Sequence, residues 1–128
     1  MPTINELYFQ TANALASKVA EALNGEVHSV VLYGSTARGE ARRNSDIDVL
    51  VLSDHPDSLR QRVVEIEEEL DAENNYRTFL VSMYLTVNHF RRLSTSGSPF
   101  ARAVLEEGVI LYDDGSFARL RDEVLAGS

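Results

Sequence analysis

Asp46 and Asp48 stand two residues apart at the start of an apolar run, Val49-Leu50-Val51-Leu52. On a strand, positions i and i+2 share a face, so both carboxylates would leave the same side. Like charges held side by side at the mouth of a buried strand repel, which raises at least one pKa unless a cation is present. Hard divalent cations favour carboxylate oxygen. The plainer alternative is an aspartate capping a turn at the strand's edge, helped by Asn44 and Ser45. Upstream, Gly34-Ser35 directly follows a β-branched stretch. Glycine permits a sharp turn and the close approach of a phosphate to backbone amides, and serine adds a hydroxyl. A Gly-Ser pair after a strand is also a common turn. Arg38, Arg42 and Arg43 follow in the same connection, either as surface cations or as phosphate ligands. Together these residues make sense as one device, in which amides and arginines hold a polyphosphate, the carboxylates hold magnesium, and the metal bridges the two.

The surrounding pattern supplies the elements that would position them. Thr3 with Glu6 forms a capping box, and Ile4, Leu7, Tyr8, Leu15, Val19 and Leu23 follow a helical period that Asn24-Gly25 ends. Val27 to Tyr33 reads as a strand. Gly34 to Ser45 is a polar connection with room for a short helix. Asp46 to Leu52 is a second strand, apolar at every position from Val49, which implies cover on both faces. After a turn at residues 53–57, Leu59, Val63, Ile66 and Leu70 mark an amphipathic helix. Glu65, Glu67, Glu68, Glu69 and Asp71 crowd its other face, which reads as solvated. Asn74-Asn75 breaks that helix, and Arg77 to Val87 is a third strand. Ser98-Pro99 opens a short helix ending at Gly108. Val109 to Tyr112 is a short edge strand, Asp113 to Gly115 a turn, and Phe117, Leu120 and Val124 a last amphipathic helix. The expected class is α+β, a small mixed sheet flanked by helices in a sandwich-like arrangement.

Composition narrows the function classes. The 128 residues suit one domain, 1–128, with its own core. The net charge of −8 argues against a free-standing nucleic-acid binder, whose affinity comes from neutralising phosphates. Eleven of the twelve cationic residues are arginine, which suits phosphates, carboxylates or surface ion pairs alike. With no cysteine there is neither a disulfide framework nor a thiolate metal site. No apolar run approaches the roughly 20 residues of a membrane helix, and no secretion signal is visible, so a cytoplasmic chain without membrane contact is expected. His28, His55 and His89 show no metal spacing and read as structural. Phe79 and Tyr84 read as core aromatics, with base stacking the lesser alternative.

Gly34-Ser35, ten residues, then Asp46-Ile47-Asp48 resembles the Gly-Ser-x10-Asp-x-Asp signature of the polymerase-β-like nucleotidyltransferases. The fuller runs Tyr33 to Glu40 and Asn44 to Val49, with the tail Ser98 to Tyr112, are similar to the minimal nucleotidyltransferase branch, and the resemblance covers most of the chain. It implies the nucleotidyltransferase fold, phosphate binding at Gly34 and Ser35, and magnesium held by the catalytic pair Asp46 and Asp48; from their place in the connection, Arg38, alone or with Arg42 or Arg43, is expected to neutralise the departing pyrophosphate, and Ser45 to add a nucleotide contact. The implied reaction is attack of an acceptor hydroxyl on the α-phosphate of a nucleoside triphosphate, ATP being the expected one, with release of pyrophosphate. Larger relatives add a domain that grips base or acceptor. The forty or so residues after Val87 are too few for one, so the acceptor is expected on another chain. Minimal members are commonly paired with a helical HEPN toxin that they neutralise as antitoxin and can adenylylate, typically on a tyrosine; pairing of identical copies is also open. The family's third carboxylate, expected near Ser82, has no counterpart between Arg77 and Val87, while Asp71 and Glu73 precede that strand. Two functions are therefore carried forward: AMP transfer to a partner protein, and nucleotide binding with neutralisation by contact.

Overall fold

Val49, Leu50, Val51 and Leu52 are all fully buried, as a strand inside a sheet with helices over both faces requires. The computed structural model describes residues 1–127. Its elements are α1 (Ile4–Ala22), β1 (Val27–Tyr33), β2 (Ile47–Ser53), α2 (Pro56–Glu73), β3 (Leu80–Leu85), α3 (Val87–Thr95), α4 (Pro99–Glu107), β4 (Val109–Asp113) and α5 (Ser116–Ala126). The strands lie in the order β3-β2-β1-β4, so β4 is an edge strand, as expected. β1 runs antiparallel to β2 and β4, and β2 runs parallel to β3, which gives the mixed sheet of an α+β fold. Ile47, Val49 and Val51 pack with Leu15, Val19, Leu59 and Val63 under α1 and α2. Leu50 and Leu52 face the other way, onto Phe90, Val104 and Phe117 of α3, α4 and α5. The Thr3 cap of α1 is present, its side chain accepting from the Glu6 amide.

Three expectations are corrected. The third strand is shorter than Arg77 to Val87. It begins at Leu80, because residues 74–77 close α2 in turns, and it ends at Leu85, because the Thr86 hydroxyl caps α3 by accepting from the His89 amide. Phe79, read as core, is 62% exposed just ahead of the strand. The acidic face of α2 is not uniformly solvated: Glu67 and Asp71 turn toward β3 and are each only 6% exposed. Asp71 accepts from the Thr78 hydroxyl at 2.6 Å and the Leu80 amide at 3.1 Å. Glu67 accepts from the Ser82 hydroxyl at 2.6 Å, with the Tyr84 hydroxyl 3.5 Å away. Buried acids are tolerated when hydrogen bonds satisfy them, and these two fix the start of β3 against the helix.

At the far end of the sheet, His28 on β1 bridges two loops. Its Nε2 lies 2.8 Å from Asp54 and its Nδ1 2.6 Å from Asp114. Hydrogen bonds to Asp114 and then Asp54 raise the imidazole pKa. Asp114, despite its partial burial, is pulled down to about 2 by hydrogen bonds from Ser116 and His28. Glu67 moves the other way, to about 7, mainly by burial. These shifts set a pH profile for stability. Between its ordinary value of 4.5 and about 7, Glu67 keeps its proton only in the folded chain, so stability falls as pH rises through that window. The His28 contribution is complete below 6.5 and fades as pH passes the raised value. The Asp114 contribution is complete above 3.8 and is lost as pH falls toward 2. Thermal stability should therefore be greatest near about pH 5 and decline toward pH 8. Glu67→Gln should leave pH 5 nearly unchanged and stabilise the chain at pH 8 by on the order of 3 kcal/mol. Calorimetric melts across that range decide it; a variant profile parallel to the wild type would show that Glu67 ionises as freely folded as unfolded.

Candidate active site

β1 delivers the first part of the site. Its last residue, Tyr33, pairs with Asp48 on β2. The next residue, Gly34, turns the chain with φ +78°, and a Cβ added there would lie 2.5 Å from Asp48 Oδ2. Only glycine suits both the left-handed backbone and the carboxylate beside it. The chain then folds back through turns rather than the short helix allowed for, with the Arg38 amide on Gly34 O, Gly39 on Thr36 O and Glu40 on Ser35 O. Asn5, in the first turn of α1, clamps this loop from below. Its Nδ2 donates to Thr36 O at 3.3 Å, and its Oδ1 accepts from the Ala41 amide at 2.9 Å. A second tight turn, with Asn44 at φ +71°, is closed by Ser45, whose amide donates to Arg42 O while its hydroxyl accepts from the Arg42 amide. It leads directly to Asp46.

Asp46 was expected as the first residue of the second strand. The ladder starts one residue later, at Ile47, and Asp46 lines a cavity of about 190 Å³ shared with Ser45, Tyr8 and Tyr76. The two carboxylates still feel one another: burial first, and then the charge of Asp46, raise the Asp48 pKa, while Arg38 opposes the shift. Tyr33, beside Asp48, is pushed up to about 12 by burial and by that carboxylate. Its ring stands edge-on to Phe100 with centroids 5.4 Å apart. Ser35, Arg38, Arg42 and Ser45 line a cavity of about 560 Å³. Arg38 is held by Glu107 at 3.1 Å and Glu40 at 3.2 Å, which raise its pKa in that order. Gly34, Ser35, Arg38, Ser45, Asp46 and Asp48 thus come to one end of the sheet. Arg43 borders a different cavity, on the side of Tyr76.

The position expected for a third carboxylate is also corrected. Ser82 pairs with Val49, so it shares the α2 face and serves Glu67. The residue paired with Asp48 is Val81, which is apolar and partly exposed. Among the described residues no group of three or more His, Cys, Asp or Glu side chains is placed to hold a metal. The pair itself fits a divalent cation. Two coupled carboxylates, one with its charge disfavoured by burial, gain from a positive neighbour, and Gly34 keeps the space over Asp48 that a Cβ would fill. Thr36 Oγ1 in the same loop is a buried hydroxyl without a protein partner, so it has hydrogen-bonding capacity to spare.

Asn5 and Val81 escaped the sequence reading, and Tyr33 and Thr36 were read only within the motif run, with no role of their own. Tyr33 and Thr36 flank Gly34-Ser35 and were within reach as part of the motif. Val81 is visible only through strand register, and Asn5 carries no signal at all, being one polar residue in a helical first turn.

The family model for the nucleotidyltransferase domain matches residues 14–111. No curated protein matches. Among solved structures, one similar to this chain is a toxin–antitoxin with AMP-PNP, at 19% identity over 90% of this chain and 85% of that one, with a TM-score of 0.57. Another is the toxin–antitoxin MntA–HepT, at 17% identity over 92% and 85%, with a TM-score of 0.51. At such identities the likeness is one of fold.

Proposed function

This chain belongs to the nucleotidyltransferase domain family, and on that footing we propose that it transfers a nucleoside monophosphate, AMP from ATP, to a hydroxyl of a partner protein in a magnesium-dependent reaction. The partner is a HEPN-type helical toxin, for which the chain acts as antitoxin in the cytoplasm. The observation that carries the proposal is the close apposition of the Gly34 turn to Asp48, whose carboxylate also feels the charge of Asp46. Gly34 and Ser35 hold the terminal phosphates with amides and a hydroxyl. Arg38 turns from Glu107 and Glu40 to the departing pyrophosphate. Tyr33, paired with Asp48, covers one side of that carboxylate. Asp46 and Asp48 would hold magnesium, which supplies positive charge for the entering and leaving oxygens. A bond forms between the acceptor oxygen and the α-phosphorus, the bond from that phosphorus to the α–β bridging oxygen breaks, pyrophosphate leaves, and the hydroxyl proton passes to solvent. Support for the partner comes from two sides: the fold is shared with chains solved as toxin–antitoxin complexes, one with AMP-PNP, and a net charge of −8 suits a basic protein face.

Val81 beside Asp48 favours a second reading, in which nucleotide is bound without transfer and the toxin is masked by contact. Incubation with ATP labelled on the α-phosphate, magnesium and the product of the adjacent gene separates the two. Label on the partner supports transfer. A stable complex that takes up no label and is still neutralised supports masking.

A further inference from the structure

The cavities at the catalytic end of the sheet are joined by shared walls. Ser45 borders both the cavity of Arg38 and the small cavity of Asp46. The small cavity in turn shares Tyr8, Asn44, Tyr76 and Arg77 with a larger one of about 540 Å³ that Arg43 also lines. That volume lies within the range of small-molecule sites, about 300–1,000 Å³. The order is thus phosphate loop, Asp46, then a larger cleft.

Tyr76 is the unusual residue in that cleft. It has φ +57°, directly after Asn75 at +55°. Asparagine enters the left-handed region readily, whereas a bulky aromatic residue is disfavoured there. Its conformation is imposed by its surroundings: its amide donates to Asp71 O at 2.8 Å, the Arg77 amide donates to Asn74 O at 3.1 Å, and the Asn74 side chain donates to Thr11 and Thr78. The ring gains nothing from burial, being 72% exposed. A strained backbone that holds an unburied ring at a cavity mouth marks a ligand contact more readily than a packing role.

We infer that this cleft is the nucleobase subsite, with the base stacked on Tyr76 and bordered by Arg43, Asn44 and Arg77. The inference rests on the nucleotide reading above. The sequence of cavities matches the sequence of parts in a nucleoside triphosphate: phosphates at Ser35 and Arg38, the α-phosphate at Asp46, and the base beyond. Stacking tolerates any base, so the subsite gives affinity before it gives selectivity.

Calorimetric titration with ATP and with inorganic tripolyphosphate, both with magnesium, tests the subsite. Tyr76→Asn removes the ring with a residue that accepts the same backbone, so the fold is not at risk. It should weaken ATP about tenfold and leave tripolyphosphate unchanged, while Tyr76→Phe keeps ATP within about twofold of the wild type. Wild-type chain that binds ATP with an affinity Tyr76→Asn does not change, or that binds ATP no better than tripolyphosphate, overturns the subsite alone. Equal loss of both ligands in Tyr76→Asn also overturns it, since the ring would then act through the loop. Wild-type chain that binds neither ligand overturns the nucleotide reading and the subsite with it.

Discussion

Asp46→Asn combined with Asp48→Asn is expected to reduce nucleotidyl transfer by about 10³-fold or more and, at the same time, to raise the melting temperature. The loss follows from removing both anions of the proposed magnesium site. The gain follows from the state of Asp48. Burial and the neighbouring charge of Asp46 raise its pKa, so the folded chain pays for its ionisation at neutral pH. Asparagine has the same shape without that cost. A binding-deficient variant that melts later than the wild type cannot be dismissed as misfolded. Two measurements complete the test: label transfer, and neutralisation of the partner in cells. A double variant that still transfers label at a tenth of the wild-type rate would remove these residues from the reaction. One that transfers nothing yet neutralises fully would favour masking by contact.

Gly34→Ala is expected to be nearly as damaging to function and also to destabilise the fold. Two costs act together. The backbone lies at φ +78°, where an L residue loses about 1–2 kcal/mol, and the new methyl would stand 2.5 Å from Asp48 Oδ2, well inside van der Waals contact. Either the carboxylate rotates away or the turn opens, and both disturb the apposition of the Gly34 turn to the proposed metal ligands. Gly39→Ala is the matched control, with φ +75° and nothing within 4 Å of the added methyl. Both variants should lose stability from backbone strain, but only Gly34→Ala should lose ATP binding, by about a hundredfold. Equal ATP affinities in the two would mean that the contact with Asp48 has no functional weight.

The sequence made much of this site legible because its signals are local. The apolar run after Asp48, the cap at Thr3, and glycine followed by serine after a β-branched stretch each act within a few residues. The errors came where the outcome depends on pairing across layers. Glu67 and Asp71 looked like any acidic helix face until Ser82, Thr78 and Leu80 were found donating to them. The expected third carboxylate was sought at Ser82, one residue from Val81, and one residue of register exchanges the two faces of a strand. Tyr76 drew no notice because nothing in the sequence marks a left-handed backbone outside glycine and asparagine.

Asn5 couples the first turn of α1 to the loop after Gly34 through Thr36 O and the Ala41 amide. Helix ends ordinarily fray, and their amides exchange with solvent faster than those of the interior. Here each fraying event releases the loop at both of those points. By linkage, whatever steadies the loop must also slow the opening of the helix. Nucleotide binding should therefore protect amides at residues 6–8 from deuterium exchange, although those residues lie on a different element from the phosphates. The opening rate of a helix terminus would then serve as a direct gauge of how fully the loop is occupied.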